Sequence, residues 1–150
     1  MKSLIVVFSF HHNNTKKIAN VFSEILKAEI KSPEEVNPEE LQLYDLVGFG
    51  SGIYSESLHK KIIVLAEKLP QVTNKKVFIF STSGIAEKKN NHMVIREILQ
   101  SKGYTIVDEF NCRGFNTNSF LKYFGGMNKG RPNEMDLKNA EEFAQNLLNS

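Results

Sequence analysis

The sequence predicts an α/β fold in which helices cover both faces of a largely parallel sheet, a three-layer α/β sandwich. Apolar runs of strand length alternate along the chain with segments whose apolar residues recur at helical spacing. The first run, Leu4–Phe8, is continuously apolar and rich in β-branched residues, which is typical of a strand buried on both faces. Alternating strands and helices imply right-handed crossovers. No repeat or linker divides residues 1–150, so we expect a single domain.

The same patterns place the individual elements. Strands are expected at Leu4–Phe8, Ala28–Lys31, Tyr44–Gly50, Lys76–Ser81 and Tyr104–Phe110. Helices are predicted where apolar residues form a stripe: Ile18–Leu26, Leu58–Leu69, about Asn91–Lys102, and from about Asn133–Asp136 onward. Asn14 or Thr15 would cap the first of these helices, and Gly103 would end the third. A long connection spans Ser32–Leu41, and Gly114–Gly130 has no clear periodicity.

Composition excludes several classes of protein. The 150 residues contain one cysteine, Cys112, which leaves no internal disulfide and no cysteine-based zinc site. No apolar run approaches the ~20 residues of a membrane span, and no signal peptide is apparent, so we expect a cytoplasmic protein. Nineteen Lys and Arg residues against seventeen Asp and Glu give a net charge of +2, too balanced for a typical nucleic-acid binder.

The predicted site lies at the carboxyl ends of the strands, where such sheets bind ligands. Polar, small-residue loops follow strands one, three, four and five, at residues 9–15, 50–55, 81–85 and 111–115. The first loop opens into a helix, whose N-terminal amides attract phosphate. It lacks the glycine patterns of dinucleotide and P-loop sites, so a cofactor with one terminal phosphate, bound without a metal, fits best.

Other occupants of this architecture lack their required residues. A receiver domain needs an aspartate where Gly50 and Ser51 end the third strand, and a small phosphatase needs a cysteine in the first loop. A serine hydrolase needs a G-x-S-x-G elbow, which is absent. The adjacent His11 and His12 have no third ligand at usable spacing, so no metal site is predicted.

Three stretches, in order and well separated, resemble the flavodoxin-like FMN proteins. They are residues 8–19 (FSFHHNNTKKIA), 44–54 (YDLVGFGSGIY) and 130–144 (GRPNEMDLKNAEEFA). The first is similar to the flavodoxin phosphate loop, the second to the third strand with its loop, and the last to the entry of the final helix. The resemblance extends over nearly the whole chain. It implies a five-stranded parallel sheet in the order 2-1-3-4-5 that holds FMN non-covalently.

The resemblance also implies which residues contact FMN. Those around the phosphate would be Ser9, His11, Asn13, Asn14 and Thr15; those beside the isoalloxazine ring would be Ser51, Gly52, Ile53 and Tyr54; those at the ring edge and ribityl chain would be Thr82, Ser83 and Gly84. Tyr54 offers an aromatic face for stacking, although a surface role stays open. Gly52 would permit a backbone flip. His59 and His92 are expected to be surface histidines at helix starts, and Cys112 a small buried residue.

Three functions remain open on these grounds. The first is an FMN-dependent electron carrier between a reductase and an acceptor, which needs no catalytic residue. The second is an FMN-dependent oxidoreductase acting on a quinone or porphyrinogen-type substrate, and the third is a binding module without redox activity. Flavodoxins are generally acidic, so the net charge of +2 predicts a less negative potential for the second electron, or a partner that is not basic.

Overall fold

The computed structural model of this protein describes residues 1–9, 14–84, 88–113 and 132–150. In chain order the elements are β1 (Ser3–Phe8), α1 (Asn14–Leu26), β2 (Glu29–Lys31), two 3₁₀ helices (Pro33–Glu35 and Pro38–Leu43), β3 (Leu46–Tyr54), β4 (Ser57–Leu58), α2 (Lys60–Glu67), β5 (Lys75–Ser83), α3 (Lys88–Asn91), α4 (Met93–Ser101), β6 (Tyr104–Arg113) and α5 (Glu134–Leu148). Within these ranges no helix has the length and apolar character needed to cross a membrane.

The strands form one sheet in the order β2-β1-β3-β5-β6, and each neighbouring pair along this path is parallel. The two-residue β4 pairs antiparallel with the end of β3, off this path. With β4 set aside, the order is the predicted 2-1-3-4-5, so the fold class is confirmed. All five parallel strands therefore end at one edge of the sheet.

Strand β1 shows how the three layers pack. Leu4 and Val6 point into the core beneath α2 and α4, whereas Ile5 and Val7 point into the core beneath α1 and α5. All four side chains are buried. The uninterrupted apolar run is therefore explained by burial on both faces, as the sequence predicted.

Two glycines in β3 make room for the largest side chains of its neighbour β5. Gly48 and Gly50 lie opposite Phe78 and Phe80, and a Cβ atom at either glycine would come within 2.3 Å of the facing ring. The two rings, together with Phe22 of α1, then close the core under α1. A larger residue at Gly48 or Gly50 would displace these rings.

Several predicted boundaries were wrong at the carboxyl edge. β3 continues to Tyr54 instead of ending at Gly50, and β5 and β6 extend to Ser83 and Arg113. The polar residues at these strand ends predict loops, yet the parallel ladder satisfies their backbone groups while their hydroxyls find partners inside the protein. The predicted helix over 91–102 is divided at His92 into α3 and α4. The aperiodic stretch 114–130 lies outside the described residues.

The hairpin between β3 and β4 contains a strained turn. Its two central residues, Ser55 and Glu56, have φ angles of 50° and 62°. Positive φ at both central positions is the mark of a type I′ turn, which usually carries Asn-Gly. Neither serine nor glutamate favours this left-handed conformation, so the turn stores strain beside the predicted site.

We expect Glu56→Gly to raise the free energy of unfolding by about 0.5–1 kcal/mol. Glycine relieves roughly 1–2 kcal/mol of left-handed strain and costs roughly 0.4–1 kcal/mol through the greater entropy of the unfolded chain. Urea denaturation measures the change. The matched control is Glu142→Gly on the exposed side of α5, where glycine should destabilise by about 1 kcal/mol. Destabilisation by both variants would contradict the strained turn.

Candidate functional site

The carboxyl edge of the sheet brings together most of the predicted site residues that the structure describes. Phe8 pairs with Ser51 across β1 and β3, and Gly52 pairs with Thr82 across β3 and β5. The three segments that the sequence placed around a cofactor therefore meet at one edge. His11 and Asn13 lie outside the described residues.

The first segment surrounds the start of α1. Ser9 accepts a hydrogen bond from the backbone N–H of Lys16 through Oγ, at 3.3 Å, and so satisfies one first-turn amide. Asn14 and Thr15 both lie inside α1, so neither of the two predicted caps precedes the helix, and the side chain of Thr15 is buried. Its hydroxyl is 2.8 Å from that of Thr82 at the end of β5. This contact joins the helix start directly to the β5 segment.

A groove of about 650 Å³ runs beside the start of α1. Its lining includes Ser9, Ser32, Glu34, Glu35 and four lysines, Lys16, Lys17, Lys31 and Lys61. Lys31 and Lys61 pair with Glu40 and Glu34, so they carry little uncompensated charge. What favours an anionic group at the start of α1 is the positive end of the helix dipole.

The second segment is the end of β3 with its hairpin. Ser51 is fully buried, and its Oγ accepts from the backbone N–H of His59 at 2.8 Å and donates to the carbonyl of Gly52 at 2.5 Å. Its side chain therefore stabilises the hairpin. In this segment the backbone is left-handed at Ser55 and Glu56, which have positive φ angles. Gly52 instead lies within the parallel ladder, where it pairs with Thr82.

Tyr54 is the aromatic group that ends β3. Its ring lies over Gly52, where an added Cβ would be 3.5 Å from the ring. Burial raises the pKa of Tyr54, so its hydroxyl remains protonated at neutral pH. Ile53 precedes it and is partly buried. The end of β3 therefore carries a half-exposed, uncharged aromatic ring of the kind that stacks on planar ligands.

The third segment ends β5. Thr82 is buried, whereas Ser83 and Gly84 are more exposed. Ser83 accepts from Asn111 of β6 at 3.3 Å. The segment therefore presents hydroxyl and backbone groups at the edge of the sheet while β6 supports it from the side.

Beneath this segment lies a buried polar network that the sequence did not predict. Ser81 Oγ is 2.6 Å from His92 Nε2, and His92 Nδ1 is 2.8 Å from Glu109 Oε1. Arg96 binds both oxygens of Glu109, at 2.9 and 2.7 Å. Asn111 donates to Ser81 at 2.6 Å. His92 is 0% exposed, so its prediction as a surface histidine was wrong.

The charge states of this network follow from its bonds. Burial raises the pKa of Glu109, but the hydrogen bonds from Arg96 and His92 outweigh burial, so the pKa lies below its ordinary value. An ionised Glu109 can only accept, so His92 donates from Nδ1. The Ser–His–Glu order is that of a hydrolytic triad, but Ser81 is 0% exposed and no substrate reaches it. The network therefore fixes the end of β5.

A signal for this network was present in the sequence. His92 lies on the same helical face as the buried Ile95 and Leu99, at spacings of three and seven residues. A histidine on the apolar stripe of a helix points inward and needs a polar partner. Because His92 lies at the start of a predicted helix, where surface histidines are usual, the inward orientation was not predicted.

His59 is the second residue that was mistaken for an ordinary surface histidine. It is partly buried, caps α2 and contacts the rings of both Phe8 and Tyr54. Burial lowers the pKa of His59, so its ring is neutral at pH 7. This environment exists only because the ends of β1 and β3 meet the start of α2. Cys112, in contrast, is buried as predicted.

Comparisons with known proteins agree with this architecture. A family model described as a flavodoxin domain matches residues 5–124. An uncharacterized protein of Methanocaldococcus jannaschii is 47% identical over 149 residues, which are 99% of each chain. Oxidised flavodoxin 2 of Bacillus cereus superposes with a TM-score of 0.74 at 19% identity, over 96% of this chain and 95% of that one. A Fusobacterium nucleatum flavodoxin bound to flavin mononucleotide gives a TM-score of 0.68 at 12% identity, over 99% and 98% of the two chains.

Proposed function

The chain belongs to the flavodoxin family, and from that premise we propose that it binds FMN non-covalently and carries electrons between redox proteins. The observation that carries the proposal is the hydrogen bond between Thr15 and Thr82. It joins the start of α1, where a phosphate would bind, to the segment of β5 that would meet the flavin ring. Support also comes from the F. nucleatum relative of the same fold, which is bound to flavin mononucleotide.

The residues of the site suit the parts of FMN. The helix start, with Ser9 and Thr15, favours a phosphate dianion. Tyr54 would cover one face of the isoalloxazine ring, beside the backbone of Gly52 and Ile53. Thr82, Ser83 and Gly84 would meet the ring edge and the ribityl hydroxyls. Asn14 begins α1 and would contribute at the phosphate, with His11 and Asn13 as further expected contacts.

The flavin would supply the one-electron chemistry, and the protein would supply binding, orientation and a controlled environment. Among the described residues at this edge, the titratable histidines are already engaged in holding the fold. Ser81 and His92 are fully buried, and His59 caps α2.

Titration of the purified apoprotein with FMN tests the proposal. We expect a yellow complex with absorbance peaks in the blue and near-ultraviolet, and reduction by single electrons when a reductase is supplied. A protein that takes up no FMN would instead be a binding module. Multiple turnovers of a quinone in a stopped-flow assay would favour the oxidoreductase.

We expect Thr15→Ala to raise the dissociation constant for FMN about tenfold. That is the effect of losing one hydrogen bond to a charged group, or of losing a side chain that holds such a bond in place. The variant also leaves the Thr82 hydroxyl without its 2.8 Å partner. Thr15→Ser is the matched control because it keeps the hydroxyl, and it should bind FMN within about twofold of the wild type. Equal weakening by both variants would show that the methyl group, not the hydroxyl, matters.

A further inference from the structure

His59 connects three elements that border the proposed flavin ring site. Its ring stacks on Phe8 of β1, with centroids 3.9 Å apart and an interplanar angle of 21°. It meets the ring of Tyr54 edge to face, at 4.9 Å and 86°. Its Nδ1 accepts from the backbone N–H of Lys61 at 3.0 Å, and the backbone N–H of His59 donates to Ser51 Oγ. The position of Tyr54 therefore depends on His59.

We propose that His59 is a pH-sensitive positioning residue: neutral His59 holds Tyr54 in place for a flavin, and protonation of His59 competes with flavin binding. The inference rests on the proposed function, since Tyr54 is positioned for a flavin only if one binds here. The pH would thereby regulate flavin binding at that site. His59 itself acts through Tyr54 rather than by touching the reacting atoms.

Protonation would change His59 because its Nδ1 is an acceptor. A neutral imidazole accepts from Lys61 N–H and satisfies an amide in the first turn of α2. An imidazolium has no acceptor, so it would lose this bond. It would also place a positive charge at the positive end of the α2 dipole. The ring would therefore leave its position between Phe8 and Tyr54.

The charged groups around His59 set the direction of its titration. Burial lowers the pKa of His59, Lys61 on α2 lowers it further, and Glu34 on the first 3₁₀ helix raises it. Lys61 forms an ion pair with Glu34 at 2.5 Å, and its ammonium group lies 5.2 Å from the ring centroid of Phe8. From β3, Tyr54 is uncharged because burial raises its pKa. The neutral ring therefore predominates at pH 7 and gains a proton only at a lower pH than an ordinary histidine does.

Riboflavin is the probe that isolates this effect. It lacks the phosphate, whose own second pKa is about 6 and would otherwise change the affinity over the same range. If flavin binding requires neutral His59, linkage makes binding weaker as the pH falls. We expect the wild-type dissociation constant for riboflavin to rise about fivefold between pH 7.5 and pH 5, the scale of losing a helix cap.

Two substitutions separate the cap from the ring. His59→Asn keeps a side-chain acceptor for the α2 amide at every pH but removes the ring. His59→Phe keeps a ring between Phe8 and Tyr54 but removes the acceptor and the titration. Both variants should show a ratio of dissociation constants at pH 5 and pH 7.5 near one. A wild-type ratio near one, or a fivefold ratio kept by both variants, would overturn the inference.

Two further measurements decide the remaining cases. Nuclear magnetic resonance of wild-type His59 should show the midpoint of its pH titration moving to lower pH when riboflavin is added. An unchanged midpoint would count against the inference even if a variant fails to fold. FMN binding is measured in parallel. The phosphate of FMN gains a proton over the same pH range in wild type and variants, so a difference in pH dependence between them belongs to His59. Failure of the wild type to bind FMN at pH 7.5 would refute the proposed function, whereas FMN binding with no pH difference between wild type and variants would refute only the inference.

Discussion

Replacing His92 by alanine is expected to lower the free energy of unfolding by about 3 kcal/mol, the cost of removing one member of a buried, charged network. The substitution removes the bond between His92 and Glu109 and leaves the buried hydroxyl of Ser81 without the ring nitrogen of His92, while Asn111 still donates to it. Glu109 keeps Arg96, so the network is weakened rather than abolished. Urea denaturation of the apoprotein at pH 7 measures the change.

Val94→Ala supplies the control on the same helix. Val94 is 40% exposed, so its truncation should cost less than about 0.5 kcal/mol. His92→Gln, which can keep one hydrogen bond, should lose less stability than His92→Ala. If His92→Ala costs no more than Val94→Ala, the buried network contributes nothing to stability. The end of β5 would then be fixed by its backbone pairing with β3 and β6 alone.

The second large effect concerns flavin affinity. Tyr54→Ala is expected to raise the dissociation constant for FMN about 30-fold, equivalent to about 2 kcal/mol, because it removes the stacking face and the apolar area of the ring. Fluorescence titration measures it, since a bound flavin stacked on an aromatic ring is quenched. The substitution leaves the start of α1 and the Thr15–Thr82 contact untouched, so any loss belongs to the ring site.

Tyr54→Phe is the matched variant for that experiment. It keeps the ring and its edge contact with His59, and removes only the hydroxyl. FMN affinity within about threefold of the wild type would assign the binding energy to stacking. A loss as large as that of Tyr54→Ala would instead assign it to the hydroxyl. Wild-type affinity in Tyr54→Ala would move the ring of the cofactor away from β3.

The sequence predicted the fold through patterns that have one physical solution. The run Leu4–Phe8 is apolar at every position, and only a strand covered by helices on both faces buries all of it. The helical stripes then supply those covers. The resemblance added the strand order, which periodicity alone does not contain. The carboxyl edge followed, because parallel strands with helical crossovers all end on the same side.

Boundaries at that edge were less predictable, because polar residues there are satisfied by tertiary partners. The sequence predicts a loop at Ser51, but this residue lies in β3, and its hydroxyl bonds to the backbone of His59 and Gly52. Ser55 and Glu56 give no sequence signal for a tight turn, since neither favours a positive φ. Local propensity was overridden there by the pairing of β3 with β4.

The sequence by itself determined the layers and the edge at which a cofactor would bind, because hydrophobic periodicity is local and parallel strands all end on one side. The strand order came from the family resemblance. Only the tertiary structure decided what His59 and His92 do. His92 contacts Ser81 and Glu109, which lie 11 and 17 residues away along the chain, and these contacts exist only in the register of β5 and β6. Hydrogen bonds depend on distances of a few tenths of an ångström, which arise only once the strands and helices have packed.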